Sequence, residues 1–253
     1  MPSNPIELAV IAYSLGSQGN DGRALTIIHG LERALPGLRL KWTSSETEEL
    51  IPLSNRDAWV VANGQSGNLP FLCNDDDNNL VTISGWENPN GLASEGPPHF
   101  EVHADFRMEA FSPIDAANAL EAIAVGARAI WGHATPLKAA VEIAEQTAPT
   151  MAGPPSPPKG LPALKCSWDI SSPEIPHRLG WLNYWSAESA RAIGFPDPSR
   201  DADLLSRTRR TARDGWLVSL TDAPLDLDNP AHLDALLRAY SYSCSLNRAL
   251  RAR

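Results

Sequence analysis

The eight residues Ile6-Glu7-Leu8-Ala9-Val10-Ile11-Ala12-Tyr13 decide how this chain is read. They are mostly apolar, rich in branched side chains and too few for an ordinary helix, so they predict a buried strand. Gly16, Gly19 and Gly22 then punctuate a loop. Leu25, Ile28 and Leu31 recur at helical spacing until Pro36-Gly37 stops the helix. Past that stop, Leu38, Leu40 and Trp42 alternate with Arg39 and Lys41, the pattern of a half-buried strand. The chain opens β-α-β.

Working outward, residues 80–84 read as a strand, and Phe100, Val102, Ala104 and Phe106 alternate with polar residues in another. These two are expected to be antiparallel neighbours, joined by the Gly- and Pro-rich connection 85–98. Ser112-Pro113-Ile114-Asp115 is a helix start, with a capping serine, a proline at the first helical position and an acid to complete the box. That helix is expected to reach Trp131, with Ile114, Ala117, Leu120, Ala124, Ala127 and Trp131 on its inner face. Residues 139–143 read as a strand, with a helix as the alternative. Six prolines between 149 and 162 make an extended strap within the domain. Strands follow at 179–184 and 216–221. Ser186 starts a short helix that Gly194 ends, and Leu204, Leu205 and Thr208 mark another. Asn229-Pro230 opens the last helix, with Leu233, Leu236, Leu237 and Tyr240 facing inward and a frayed tail over 241–253. The expectation is one α+β domain over 1–240, a mixed or antiparallel sheet with packed helices.

Composition narrows the class. Of 253 residues 43% are hydrophobic and 20% charged, which excludes a disordered chain. No apolar run approaches the ~18 residues of a membrane span. No basic segment leads into an apolar one at the start, so a cytoplasmic location is expected. Cys73, Cys166 and Cys244 fit neither a zinc spacing nor a disulfide framework, and read as thiols in a reducing compartment, the first two in the core. The net charge of −9 is uneven: residues 44–111 hold twelve acids and two bases, a charge of −10, against +1 for the remainder. Such a bias repels nucleic acid and attracts basic proteins.

Two segments could carry chemistry. His99, Glu101, His103 and Asp105 share one face of a strand, but neighbours on that face lie about 6.5–7 Å apart, so four cannot converge on one metal. The loop Gly16-Ser17-Gln18-Gly19-Asn20-Asp21-Gly22 stands where a phosphate could meet a helix N-terminus. Its spacing is not GxGxxG, no Walker lysine follows, and Asp21 would repel an anion. Gly64-Gln65-Ser66-Gly67-Asn68 is no nucleophile elbow, and Ser156-Pro157-Pro158-Lys159 cannot form the helix a Ser-x-x-Lys pair needs. No catalytic residue, metal or cofactor is assigned. The competing reading is a small-molecule or nucleotide-processing α/β enzyme using loop 16–22 or the His99/Glu101/His103/Asp105 strand. Trp86, beside Glu87 and a polar turn, is the best exposed aromatic, and aromatic anchors ringed by acids suit a protein-binding surface.

Leu179-Gly180-Trp181-Leu182-Asn183-Tyr184-Trp185 carries a Gly-Trp-x-x-Tyr pattern. With the first strand, Trp42, Pro52-Leu53, Asn78-Asn79-Leu80-Val81-Thr82-Ile83, Trp131, Gly215-Trp216-Leu217-Val218-Ser219-Leu220-Thr221-Asp222 and Asn229-Pro230-Ala231-His232, the chain resembles the immunity protein 52 family of bacterial polymorphic toxin systems and a close relative family of unknown function. The resemblance spans residues 6–240; the proline strap and the tail depart from it. It implies an α+β fold, no catalysis and a cognate toxin encoded nearby, of the restriction-endonuclease-like class that cuts DNA. The expected partner is that toxin, with neither nucleic acid nor membrane bound directly. The expected docking surface is Asp75, Asp76, Asp77, Trp86 and Glu87.

Overall fold

The computed structural model describes residues 6–16, 21–64, 67–88, 98–108, 112–147, 156–164 and 172–250, with only the backbone for 6, 108 and 242–250. In order the elements are β1 (Ile6–Leu15), α1 (Arg23–Ala34), β2 (Trp42–Ser44), β3 (Leu50–Pro52), α2 (Arg56–Asn63), β4 (Leu69–Cys73), β5 (Val81–Asn88) and β6 (His99–Met108). Then come α3 (Pro113–Ala127), β7 (Trp131–Pro136), α4 (Leu137–Ala144), a 3-10 turn (Pro158–Gly160), β8 (Leu182–Trp185), α5 (Ala187–Ala192), α6 (Ala202–Leu205), β9 (Thr208–Arg210), β10 (Trp216–Ser219) and α7 (Pro230–Leu250). The strands form one ten-stranded sheet in the order β3-β2-β4-β5-β6-β1-β7-β8-β10-β9. Every described pairing is antiparallel. The protein is therefore α+β, and among the described residues no helix is long and apolar enough to cross a membrane.

The opening β-α-β exists as an order of elements and not as a paired unit, because β4, β5 and β6 stand between β1 and β2. β1 lies at the centre of the sheet, between β6 and β7; one face is buried along its length, and on the other Tyr13 is buried while Ala9 and Ile11 are half-buried, which fits its largely apolar character. Leu8, Val10 and Ala12 are buried on one face, with Val102, Ala104 and Phe106 opposite on β6. Helices α1 and α3 pack on that side. Their approach is close at Gly126, where an added Cβ would lie 2.7 Å from the Ile27 Cα.

α3 starts as the sequence dictates. Ser112 accepts from the Asp115 N–H, and the Asp115 carboxylate accepts from the Ser112 N–H, closing a capping box. It ends at Ala127, not at Trp131. Arg128 turns the chain in the left-handed region, and Trp131 begins β7. The buried face of α3 is Ala116, Ala119, Leu120, Ile123, Ala124 and Ala127, whereas Ile114 is exposed. Three more expectations change. Residues 139–143 belong to helix α4, Thr208 lies in strand β9 rather than a helix, and the strand expected over 38–42 begins only at Trp42.

The other face of the sheet is covered on its β7–β8 side. Gly180 lies against β7 so closely that a Cβ would stand 2.0 Å from the Thr135 Oγ1. The Tyr240 hydroxyl of α7 accepts from the Leu179 N–H at 3.0 Å and donates to the Gln146 Oε1 at 3.0 Å. Gln146 also binds the described end of the proline strap, donating to the Pro162 carbonyl at 2.9 Å and accepting from the Leu164 N–H at 2.7 Å. Prolines 149, 154 and 155 lie outside the described residues. α7 continues as helix past Ser241 to Leu250.

Candidate binding face

The β5–β6 half of that second face meets solvent. Trp86, Asp105 and Arg107 are exposed there, and Thr82, Ser84 and His103 are partly so. Antiparallel pairing lines up two rows of side chains across the strands. One runs Trp86, Glu101, Tyr13, Trp131, Trp185; the next runs Ser84, His103, Ile11, His133, Asn183. At the open end Trp86 stacks on His103, ring centroids 4.4 Å apart, with 43% of the tryptophan still exposed. At the covered end Tyr13 stacks on Trp131 at 4.0 Å, and the Trp131 Nε1 donates to the Pro173 carbonyl at 2.9 Å.

Glu101 is the polar hub of the open end. Its Oε1 lies 2.7 Å from the His99 Nε2 and its Oε2 lies 3.2 Å from the His103 Nε2. Burial pushes its carboxyl upward, but hydrogen bonds from His103 and His99 and their charge outweigh burial and hold it at about 2. Deeper in, His133 is buried, with its Nδ1 3.4 Å from the Thr135 Oγ1 and its Nε2 without a hydrogen-bond partner among the described residues. Burial, then the positive charges of Arg178 and His103, pull its pKa down to about 3, so the ring is neutral. Tyr13 is raised well above its ordinary value by burial and by Glu101, with Arg178 opposing. Sequence reasoning missed Tyr13, His133 and Arg178 as members of this cluster.

The four polar residues of β6 do share one face, as expected. They do not form a metal centre: His99 and His103 both turn Nε2 toward Glu101, and among the described residues no group of three or more His, Cys, Asp or Glu side chains suits a metal ion. Nor does the described part of the glycine loop offer a phosphate seat. Asp21 accepts from the Arg23 N–H at 3.1 Å and pairs with the side chains of Arg23 and Arg128, so α1 already has an anion at its N-terminus. Residues 17–20 lie outside the described residues. Cys73 is buried, its thiol pushed up by burial and by Asp75; Cys166 lies outside the described residues, as does the Cys244 side chain.

The residues expected to dock a partner fall in two places. Asp75, Asp76 and Asp77 occupy the turn between β4 and β5, fully at the surface. Asp76 is committed to that turn, accepting from the Asn78 and Asn79 N–H groups and from the Asn79 side chain, which lowers its pKa. Trp86 and Glu87 sit at the far end of β5, roughly 17 Å from Val81 by strand rise. Trp86 is on the open face. Glu87 points the other way, its carboxylate crowding Gly16, while its N–H donates to the Asn68 Oδ1 at 3.0 Å.

The sheet thus carries helices on one face, while on the other its β5–β6 half presents Trp86 and Asp105 to solvent. The chain belongs to the family described as a domain of unknown function (DUF5953), whose model matches residues 19–245. That description carries no immunity assignment. Among solved structures it is similar to the Pseudomonas aeruginosa T6SS protein PA0821, with a TM-score of 0.51 and 14% identity over 93% of this chain and 73% of that one. At that identity the likeness concerns the fold alone. No curated protein matches the chain in sequence.

Proposed function

We propose that this protein is an immunity protein, binding a cognate bacterial toxin and neutralising it by covering its active site or substrate cleft. The observation that carries the reading is Trp86: a large aromatic left 43% exposed on a sheet face, resting on a histidine, on a segment with a charge of −10. Rigid aromatics of that kind anchor protein interfaces, and surrounding charge sets partner and association rate. The resemblance of the sequence to the immunity protein 52 family supports the same reading, and so does a similarly folded protein that bears a T6SS label. The target we propose has a basic cleft, as a DNA-cutting toxin of the restriction-endonuclease type must. Acting in the cytoplasm of the producing cell, the inhibitor needs no cofactor.

The test is co-expression with the product of the adjacent gene. Capture of a stoichiometric complex and rescue of growth support the proposal. A neighbour product that is neither bound nor toxic, together with a copurifying nucleotide or turnover of a small molecule, would instead favour the enzyme reading.

A further inference from the structure

A cavity of about 190 Å³ opens at the end of the open sheet face away from Trp86, beside the acidic turn. Leu80, the residue that leads from that turn into β5, forms one wall and Leu137, 40% exposed at the start of α4, forms another. Thr82 and Asp105, opposite each other in the β5–β6 register, also line it, as does Glu7 of β1. The cavity combines apolar walls with the two carboxylates, and Arg107 also lines it.

The charges around that cavity do not cancel. Arg107 reaches only the Oε1 of Glu7, at 3.1 and 3.2 Å. Lys138, next to Leu137, is drawn away to Asp228 at 2.5 Å and Asp226 at 3.6 Å. His103, two residues before Asp105 on the same face, is held by Glu101. Asp105 itself has no hydrogen bond or ion pair among the described residues, and burial and the charge of Glu7 raise its pKa, with His103 opposing. An ionised carboxylate left beside another one on partly desolvated ground is stabilised by a cation brought from outside. A single free carboxylate with one shared neighbour is too poor a set of ligands for a divalent metal.

We infer that this cavity is a socket for an arginine side chain of the partner, its methylene stem between Leu80 and Leu137 and its guanidinium spanning Asp105 and the free oxygen of Glu7. The planar fork suits two carboxylates side by side, whereas an ammonium is a point charge. Arginine is also among the residues that dominate interfaces, and it belongs to the basic surface an acidic inhibitor selects. The exposed Asp75 and Asp77 add long-range attraction from the adjacent turn without contacting the fork. The inference rests on the toxin-binding reading for the identity of the partner, but the socket can be tested without it.

The experiment is an NMR titration of the free protein with N-acetyl-arginine amide, N-acetyl-lysine amide and N-acetyl-citrulline amide. The expected result is saturable shifts at Leu80, Thr82 and Leu137 with the arginine probe, at a dissociation constant on the order of 1–10 mM. Citrulline, which keeps the shape and loses the charge, leaves them unmoved. Asp105→Asn, on an exposed position of a strand, keeps the spectrum of the fold and weakens arginine binding about fivefold. Shifts scattered over the turn, equal affinity for lysine, or an Asp105→Asn protein that binds as the parent does would each overturn the assignment. Failure here leaves toxin binding standing. A toxin that ignores the wild-type protein while the arginine probe still seats would sink the functional reading and spare the socket.

Discussion

Replacing His133 by Gln should flatten the acid side of the stability curve. His133 is nearly inaccessible on β7, between Ile11 of β1 and Asn183 of β8. The Asn183 amide cannot help it, since both its ends bind Gly180 at 2.9 Å. The folded protein holds the ring at about 3 against 6.5 for an ordinary histidine. Its unfolded form therefore takes up a proton that the folded form refuses. Stability from this group is complete above pH 6.5, declines as pH falls from 6.5 toward 3, and changes no further below that. At pH 5 the loss is about 2 kcal/mol, since the unfolded ring is almost wholly protonated and the folded ring is not. Urea unfolding followed by tryptophan fluorescence at pH 7.5 and pH 5 measures it. The wild type should lose about 2 kcal/mol more than His133→Gln between those two values, because distant titrations cancel in the difference. A difference below about 0.5 kcal/mol would show that the ring is protonated in the folded state, and the account of a dry β7–β8 face would be wrong.

Glu101 works in a lower window: depressed to about 2 from 4.5, it contributes stability above pH 4.5 that disappears as pH falls toward 2, and Glu101→Gln should remove that limb from an acid titration followed by circular dichroism. Gly126→Ala should cost about 1–3 kcal/mol, since its Cβ would press on Ile27 Cα and N at 2.7 and 2.8 Å and force α1 from α3. Gly30→Ala, whose Cβ meets Ala122 O at 3.4 Å, is the control, and equal melting temperatures for the two variants would contradict the packing. Trp86→Ala should change folding stability by no more than about 1 kcal/mol while weakening toxin binding by about 2 kcal/mol in a calorimetric titration. An unaltered affinity would move the interface off this strand.

Local chemistry made much of this architecture legible. Ser112, Pro113 and Asp115 announce a helix start by residue type, and the Phe100–Phe106 alternation announces a strand with one dry face. What was lost is where burial erases periodicity. Trp131–Pro136 is covered on both sides of the sheet, so it shows no alternation, and the expected helix runs on to Trp131 instead of ending at Ala127. Ala139 and Ile143 are the buried pair of a single helical face, but in so short an apolar run their spacing fits a strand too. For the candidate binding face, the exposure of Trp86 could be inferred from Glu87 and the turn. Its stacking on His103 could not, because that depends on the β5–β6 register. The length of β5 separates Asp75–Asp77 from Trp86, although nine to eleven positions in sequence suggest proximity.

The central place of β1 has a consequence for synthesis on the ribosome. Its two neighbours are β6 and β7, and roughly 120 residues must be translated after Leu15 before the last of them is out, about 6 to 24 seconds at ordinary elongation speeds. Until β6 emerges this largely apolar strand has no partner on either edge, and until β7 emerges one edge stays bare; a nascent chain with a bare, sticky segment is what holdase chaperones bind. Folding is therefore gated by the emergence of β7. A chain stalled before Trp131 would leave β1 exposed along one edge and should be recovered in inclusion bodies or with a holdase, while one stalled just after α4 should already protect β1 from proteolysis.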